Sequence, residues 1–288
     1  MGRPGRAAGG HGVARSRAAG YPERVSPTVI LLGLLLAGAA PDFTVALDAG
    51  HGGSNIGAAA AGLYEKQVTL DLARRVERRL AARKQVRAVL CRQDDTMVPV
   101  RTRVRCANQA GARLFVSIHA NASPEGPSRG TQRGFELYVL PVRDVDTDAA
   151  AAAALAPGPA EAAFAAHRVH ATAAESVAAA QRIGWRLGDA LGLERDRGIK
   201  QEGAQLDVLQ GLQMPGVLVE VGFLDHPEEG PFLASEEGRE TIATALAKAI
   251  EDLRSREIRG RTDPAITGKH PPNPAREAGR SGPRPRKR

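Results

Sequence analysis

Short apolar runs alternate with amphipathic segments over most of this 288-residue chain, and this alternation restricts the fold more than any other feature. The runs predicted to be strands are FTVAL (43–47), VRAVL (86–90), LFVSI (114–118), FELYVL (135–140), LDVL (206–209) and VLVEV (217–221). One helical pattern begins near Glu65. Three more cover roughly residues 100–110, 175–191 and 235–253. Strands separated by helices at this spacing predict a single α/β domain, with a largely parallel or mixed central sheet flanked by helices.

The two ends of the chain differ from this body in charge. Residues 1–40 carry a net charge of +4 and residues 254–288 one of +8, so with +8 for the whole chain residues 41–253 sum to −4. A basic nucleic-acid groove in the body is therefore not expected, and an aromatic content of 3% offers few platforms on which bases could stack. Residues 258–288 are rich in Pro, Gly and Arg, which predicts a basic, disordered tail. This tail either associates with anionic polymers by charge or is a solvated terminus without such a role.

The N-terminal segment is predicted to direct export. Five arginines precede the apolar run VILLGLLLAGAA at residues 29–40. A helix that spans a bilayer needs about 20 apolar residues, so this run is too short to do so comfortably. A basic region followed by a short apolar run and small residues is typical of a secretory signal peptide. Residues 1–40 are therefore interpreted as a signal peptide, with a retained N-terminal anchor as the alternative.

The two cysteines and an Ala-rich segment narrow the possible kinds of metal site. The only two cysteines, Cys91 and Cys106, exclude a disulfide-rich scaffold and a thiolate zinc site, but both a single bridge and two separate core residues are consistent with the sequence. Residues 143–174 are Ala-rich, are broken by Pro157-Gly158-Pro159, and are predicted to form one or two short helices. His167 and His170 in this segment are weak metal-ligand candidates, because no carboxylate accompanies them at a fixed offset.

Four polar residues stand where predicted strands or helices begin or end. His51 follows the first strand in VALDAGHGG, His119 follows LFVSI, Glu220 lies near the end of VLVEV, and Glu65 starts a helix. In open α/β sheets, sites form beyond the carboxyl ends of the strands. Two imidazoles, one carboxylate and an open position make a catalytic zinc site, and a second carboxylate would serve as general base. Taken singly, each residue has a structural explanation, but together the four predict a zinc centre.

The segments around these residues resemble one known family, the type 3 N-acetylmuramoyl-L-alanine amidases, over residues 43–253. LDAGHGG, GLYEK, RVRCANQAGARLFVSIHANAS and MPGVLVEVGFLDHPEE resemble the family's motifs. The resemblance implies that His51, Glu65 and His119 are the zinc ligands. It also implies that Glu220 is the catalytic acid/base.

The same resemblance implies a function. Residues 41–257 would form a zinc-dependent catalytic domain that cleaves the amide between N-acetylmuramic acid and L-alanine in peptidoglycan, for cell-wall remodelling or septum splitting in cell division. The expected partners are peptidoglycan and an activator protein, and the expected location is periplasmic or cell-wall associated. Residues 143–174 would be an insertion, either a lid that limits access to the zinc or a passive surface excursion. The alternatives are a zinc carboxypeptidase that acts on stem peptides and a non-catalytic cell-wall binding or activator protein.

Overall fold

The computed structural model of the protein describes residues 43–83, 85–202 and 206–262. The predicted signal segment and residues 263–288 of the predicted tail lie outside the described residues. The strands are β1 Phe43–Ala49, β2 Ala59–Ala60, β3 Leu63–Tyr64, β4 Val86–Leu90, β5 Leu114–Asn121, β6 Phe135–Tyr138, β7 Asp196–Lys200 and β8 Gly216–Phe223. The helices are α1 Glu65–Ala81, α2 Val100–Gln109, α3 Val142–Ala154, α4 Pro159–Leu191, α5 Glu229–Ala234 and α6 Glu236–Thr262.

Six of the strands form one mixed sheet in the order β4–β1–β5–β8–β6–β7. Strands β4, β1, β5 and β8 are parallel to one another, whereas β6 is antiparallel to β8 and parallel to β7. Strands β2 and β3 form a separate small hairpin that leads into α1. The predicted single α/β domain with a mixed central sheet is confirmed.

Both faces of the sheet are covered. One face packs against α1, α4 and α6, where the apolar positions of α1 that repeat every four residues are all buried: Val68, Leu72, Val76 and Leu80. The other face packs against α2 and against a 3₁₀ turn at Leu206–Leu209. The apolar contacts on this second face stop before the carboxyl ends of β5 and β8, where polar side chains lie instead. Among the described helices, none combines the length and the apolar character that crossing a membrane would require.

The prediction of a strand at residues 206–209 is wrong, because these residues form the 3₁₀ turn. Leu206, Val208 and Leu209 are all buried, whereas an alternating strand would bury every second residue. The sheet instead gains β7, whose sequence DRGIK gives no strand pattern because it holds three charges and a glycine.

Several predicted helix bounds also change. Helix α4 begins at Pro159, not near 175, because the alanine-rich segment continues one long helix of 33 residues. Pro157-Gly158 does separate α3 from α4, and Pro159 occupies the first turn, where its missing N–H costs nothing. Helix α6 extends to Thr262, beyond the predicted end at 253 and into the first residues of the predicted tail.

Candidate metal centre

His51 lies in the loop after β1, held in an unusual backbone conformation. Its φ angle is 62°, a left-handed value that few residues with a side chain adopt. The neighbouring Gly50 has no room for a side chain, since a Cβ there would lie 2.4 Å from the ring of His119. The glycines around His51 thus allow its loop to approach the imidazole of His119 on the next strand.

The structure brings the three predicted ligands together. His51 Nε2 lies 2.9 Å from Glu65 Oε2, and His119 Nδ1 lies 2.8 Å from Glu65 Oε1. One ligand atom from each residue falls within 4.8 Å of the others, and the two imidazole rings meet edge to face at 4.9 Å. Among the described residues this is the one group of three or more that could hold a metal ion. His119 lies inside β5, not after it as expected.

Hydrogen bonds from outside the group orient these side chains. Glu65 accepts from the backbone N–H of Ala58 at 2.7 Å and of Ala120 at 3.1 Å. His51 Nδ1 lies 2.9 Å from Asn55 Oδ1 and can donate to it. That bond would keep the proton on Nδ1 and leave the lone pair of Nε2 free to bind a metal.

The electrostatics of the group favour a bound cation. Burial raises the pKa of Glu65, but the bonds from His119 and His51 outweigh burial and lower this pKa to about 2. For His51, burial lowers the pKa, and the neighbouring Glu65 carboxylate more than compensates, so the pKa is raised. Glu65 is therefore ionised at neutral pH and supplies a negative charge between the two imidazoles.

Glu220 lies beside this group without joining it. On β8 it pairs in register with His119 of β5 and with Glu136 of β6. Its Oε2 is fully covered and has no hydrogen-bond partner among the described residues. Burial, together with the negative charges of Glu65 and Glu136, raises the pKa of Glu220 well above its usual range. A carboxyl group with a raised pKa and a free oxygen is suited to taking and giving a proton.

The four predicted residues line one cleft of about 390 Å³ at the carboxyl ends of β5 and β8. Its remaining walls are the loop residues Asn55, Gly57 and Ala58, and the segment 120–122. The donor set of two imidazoles and one carboxylate is the set found in catalytic zinc sites with an open position. The unpartnered oxygen of Glu220 fits a group that meets water or substrate at that position. The residues present therefore fit a zinc ion.

Two buried arginines that the sequence reasoning missed hold the His51 loop. Arg92, 1% exposed, donates to the carbonyl oxygens of Ala49 and Gly50, each at 2.9 Å. Because these carbonyls precede His51 directly, the guanidinium fixes the backbone on which the imidazole is carried. No sequence pattern marks Arg92 as buried, since it follows a strand in the polar stretch CRQDD.

Arg103 is the second buried arginine that holds the His51 loop. It donates to the carboxylate of Asp48 at 2.7 Å and to the carbonyl oxygen of His51 at 2.5 Å. Asp48 also accepts from the hydroxyl of Ser117 at 2.8 Å. Asp48 and Arg103 are buried, so this is an ion pair within the protein and not on its surface.

Cys91 and Cys106 are paired in a disulfide, with their Cα atoms 5.7 Å apart. The sequence left this question open. The bond ties the residue before Arg92 to α2, the helix that carries Arg103. It therefore joins the two elements whose arginines support the His51 loop.

The described contacts of the Ala-rich hairpin, residues 143–174, lie at the amino end of β8. Strand β6 runs antiparallel to β8, so β6 ends near the amino end of β8. Helix α3, which follows β6, therefore starts at the end of the strands opposite to Glu220. There Asp148 accepts from the N–H of Gly211 at 2.9 Å, close to the amino end of β8. No residue of the hairpin lines the cleft. His167 and His170 lie on the hairpin, away from the group of ligands.

An α/β sheet that gathers two histidines, a glutamate and a free carboxylate at one edge is typical of metal-dependent hydrolases. Residues 45–252 match the model of the N-acetylmuramoyl-L-alanine amidase family, and the chain belongs to that family. The family predicted from the motifs is therefore confirmed.

Individual relatives agree with this assignment. The chain is 32% identical to the endolysin of Bacillus phage SPP1 over 211 residues, which covers 72% of this chain and 64% of the endolysin. It is 31% identical to the N-acetylmuramoyl-L-alanine amidase LytC of Bacillus subtilis (strain 168) over 203 residues, or 70% of this chain and 34% of LytC. The solved amidase AmiC2 of Nostoc punctiforme is 29% identical, with a TM-score of 0.57 over 75% of this chain and 98% of AmiC2. The matched region thus spans less than two thirds of the length of the endolysin and of LytC.

Proposed function

We propose that this protein is a zinc-dependent hydrolase that cleaves the amide bond between N-acetylmuramic acid and L-alanine in peptidoglycan. The observation that carries the proposal is the His51–Glu65–His119 group with Glu220 beside it, in a domain of the amidase family. His51, Glu65 and His119 are proposed as the zinc ligands. Glu220 is proposed as the catalytic acid/base.

Each residue has a defined task in this reaction. When bound, zinc would polarise the carbonyl of the scissile amide and make water acidic enough to be deprotonated near neutral pH. Glu220 would take a proton from the attacking water and deliver it to the nitrogen of the departing alanine. Arg92 and Arg103 would hold the His51 loop in position, through the carbonyl bonds described above.

Two alternatives are less well supported. A non-catalytic wall-binding protein would have no need for all four site residues, yet all four line one cleft. A zinc carboxypeptidase could use the same ligands, but its substrate must offer a terminal carboxylate at the scissile residue, and the family match favours the muramoyl amide.

Several further attributes belong to this proposal. We place the protein outside the cytoplasm, in the periplasm or at the cell wall, on the basis of the predicted signal segment. Its role would be cell-wall remodelling or septum splitting in cell division, and an activator protein stays a predicted partner. The basic tail would add affinity for anionic wall polymers through charge.

The test is the identity of the bond that is cut. Purified full-length protein loaded with zinc is incubated with intact sacculi, and the released products are analysed by mass spectrometry. The proposal expects free stem peptides that begin with an unblocked L-alanine, together with glycan strands that have lost their peptides. Products shortened only at the carboxyl end of the stem would instead show a carboxypeptidase.

A further inference from the structure

Strand β7 carries two cations that an irregularity in its pairing turns toward the same carboxylate. Phe135 of β6 pairs with Asp196, but Leu137, two residues on, pairs with Ile199, three residues on. The additional residue makes a β-bulge, and Gly198 within it has a φ of 84°, a conformation that glycine adopts readily. In a regular strand, residues 197 and 200 would point to opposite faces.

Because of this bulge, Arg197 and Lys200, named here the cation pair, both bind Glu136. Arg197 Nε and Lys200 Nζ each lie 2.5 Å from Glu136 Oε1, and the hydroxyl of Tyr138 donates to Oε2 at 2.6 Å. Glu136 is 2% exposed, whereas the side chains of Arg197 and Lys200 are 33% and 34% exposed. One buried carboxylate therefore balances only one of two cations, and one positive charge remains accessible to solvent.

The cation pair lies next to a row of polar site residues that crosses the sheet. His119, Glu220 and Glu136 occupy adjacent strands in register. Neighbouring strands are about 4.8 Å apart, so Glu136 places the two cations about one to two strand spacings from Glu220. The acid of β7, Asp196, lies 3.8 Å from the Cβ position of Gly184 on α4, which is on the opposite face of the sheet. On the face of the sheet that carries the site, the charged residues of β7 are therefore only Arg197 and Lys200.

We propose that Arg197 and Lys200 form a carboxylate-binding subsite beside the cleft, next to Glu220 across Glu136. This inference rests on the proposed function. In a stem whose second residue is acidic and is joined to the next residue through its side chain, the free α-carboxylate lies five bonds beyond the scissile nitrogen, or about 6 Å of extended chain. A carboxylate at that distance falls within reach of the cation pair. The subsite selects stems with a free α-carboxylate over stems in which that group is amidated.

The test compares two muramoyl tripeptides that differ only in this group, one with the free α-carboxylate and one with its amide. The wild-type protein is expected to have the higher kcat/KM on the free acid. Lys200→Met removes one cation and leaves Glu136 paired with Arg197, so the fold is kept. This variant should lose about tenfold in kcat/KM on the free acid, mainly through KM, and should lose less on the amide.

Two further variants separate this role from a structural one. Lys200→Arg keeps the charge and should keep the preference for the free acid. Lys248→Gln, an exposed lysine on α6, is the matched control and should behave as wild type. Equal cleavage of both peptides by the wild-type protein would overturn the subsite and leave the proposed function standing.

Binding gives a readout that does not need turnover. In the Glu220→Gln background, calorimetric titration should show the free acid binding more tightly than the amide, and Lys200→Met should remove the difference. If the wild-type protein cleaves neither peptide, the proposed function fails, and this titration alone decides whether the cation pair binds a carboxylate. Equal dissociation constants for the two peptides would refute the subsite.

Discussion

Replacing Arg103 by methionine is expected to destabilise the protein and loosen the metal centre at once. The substitution keeps most of the apolar stem but removes the guanidinium that pairs with Asp48 and bonds the carbonyl oxygen of His51. Asp48 is 1% exposed, and Ser117 would be the one hydrogen-bond donor left to its carboxylate among those described. Breaking a buried ion pair by removing one partner costs about 3–5 kcal/mol. For a domain of this size, that predicts a melting temperature lower by roughly 10 °C.

The metal centre should respond separately. Without Arg103 the His51 loop loses one of its two guanidinium supports, and loss of such outer support costs about 10- to 100-fold in metal affinity. Urea denaturation of the metal-free protein measures the first effect, and titration with a competing chelator measures the second.

A matched control lies on the same helix. Arg101 is exposed and bonds Gln210, so Arg101→Met should change stability by no more than about 0.5 kcal/mol. The double variant Asp48→Ala/Arg103→Met removes both charges and should recover part of the loss. The reasoning is refuted if Arg103→Met unfolds within about 1 kcal/mol of wild type, or if zinc affinity is unchanged.

Three further predictions address other parts of the molecule. Replacing Cys91 and Cys106 by alanine should lower the free energy of unfolding by about 3 kcal/mol, since the bond closes a loop with a sequence separation of 15; equal stability in urea would contradict this. Shortening the Ala-rich hairpin should leave hydrolysis of sacculi unchanged, because no residue of the hairpin lines the cleft, whereas a faster rate would support a lid. Burial raises the pKa of Glu136, but its bonds to Lys200, Tyr138 and Arg197 outweigh burial and lower it, so its stabilisation is present above the unfolded value of 4.5 and is lost as pH falls. Glu136→Gln should therefore flatten the loss of stability as the pH falls below about 5, measured by thermal unfolding, and an unchanged slope would count against it.

The sequence predicts the site well because its residues interrupt strong patterns. His51 stands among glycines directly after an apolar strand, and Glu220 places a charge within VLVEV. The rule that strand ends share one sheet edge then brings these residues together before any coordinates are known. The apolar residues that repeat every four positions correctly predict α1 from Glu65, because these residues face the core.

Residues that support the site give no comparable signal. Arg103 belongs to the run VRTRVRC, in which alternate arginines are exposed, and only the packing of α2 selects Arg103 for burial. Strand β7 was missed because its pairing with β6 depends on a bulge, which no periodic pattern predicts. Residues 206–209 are too few for a period of two to be told from a 3₁₀ turn.

The central claim is that Glu220 does chemistry while His51, Glu65 and His119 hold the metal. The most direct measurement is the zinc content and turnover of Glu220→Gln, compared with His119→Ala. The amide of glutamine is nearly isosteric but cannot accept the proton of water, so Glu220→Gln should keep one zinc per chain and lose turnover by about 10²- to 10⁴-fold. His119→Ala should lose zinc and activity together. Near wild-type hydrolysis of peptidoglycan by Glu220→Gln would contradict the account, and loss of zinc without unfolding would make Glu220 a ligand.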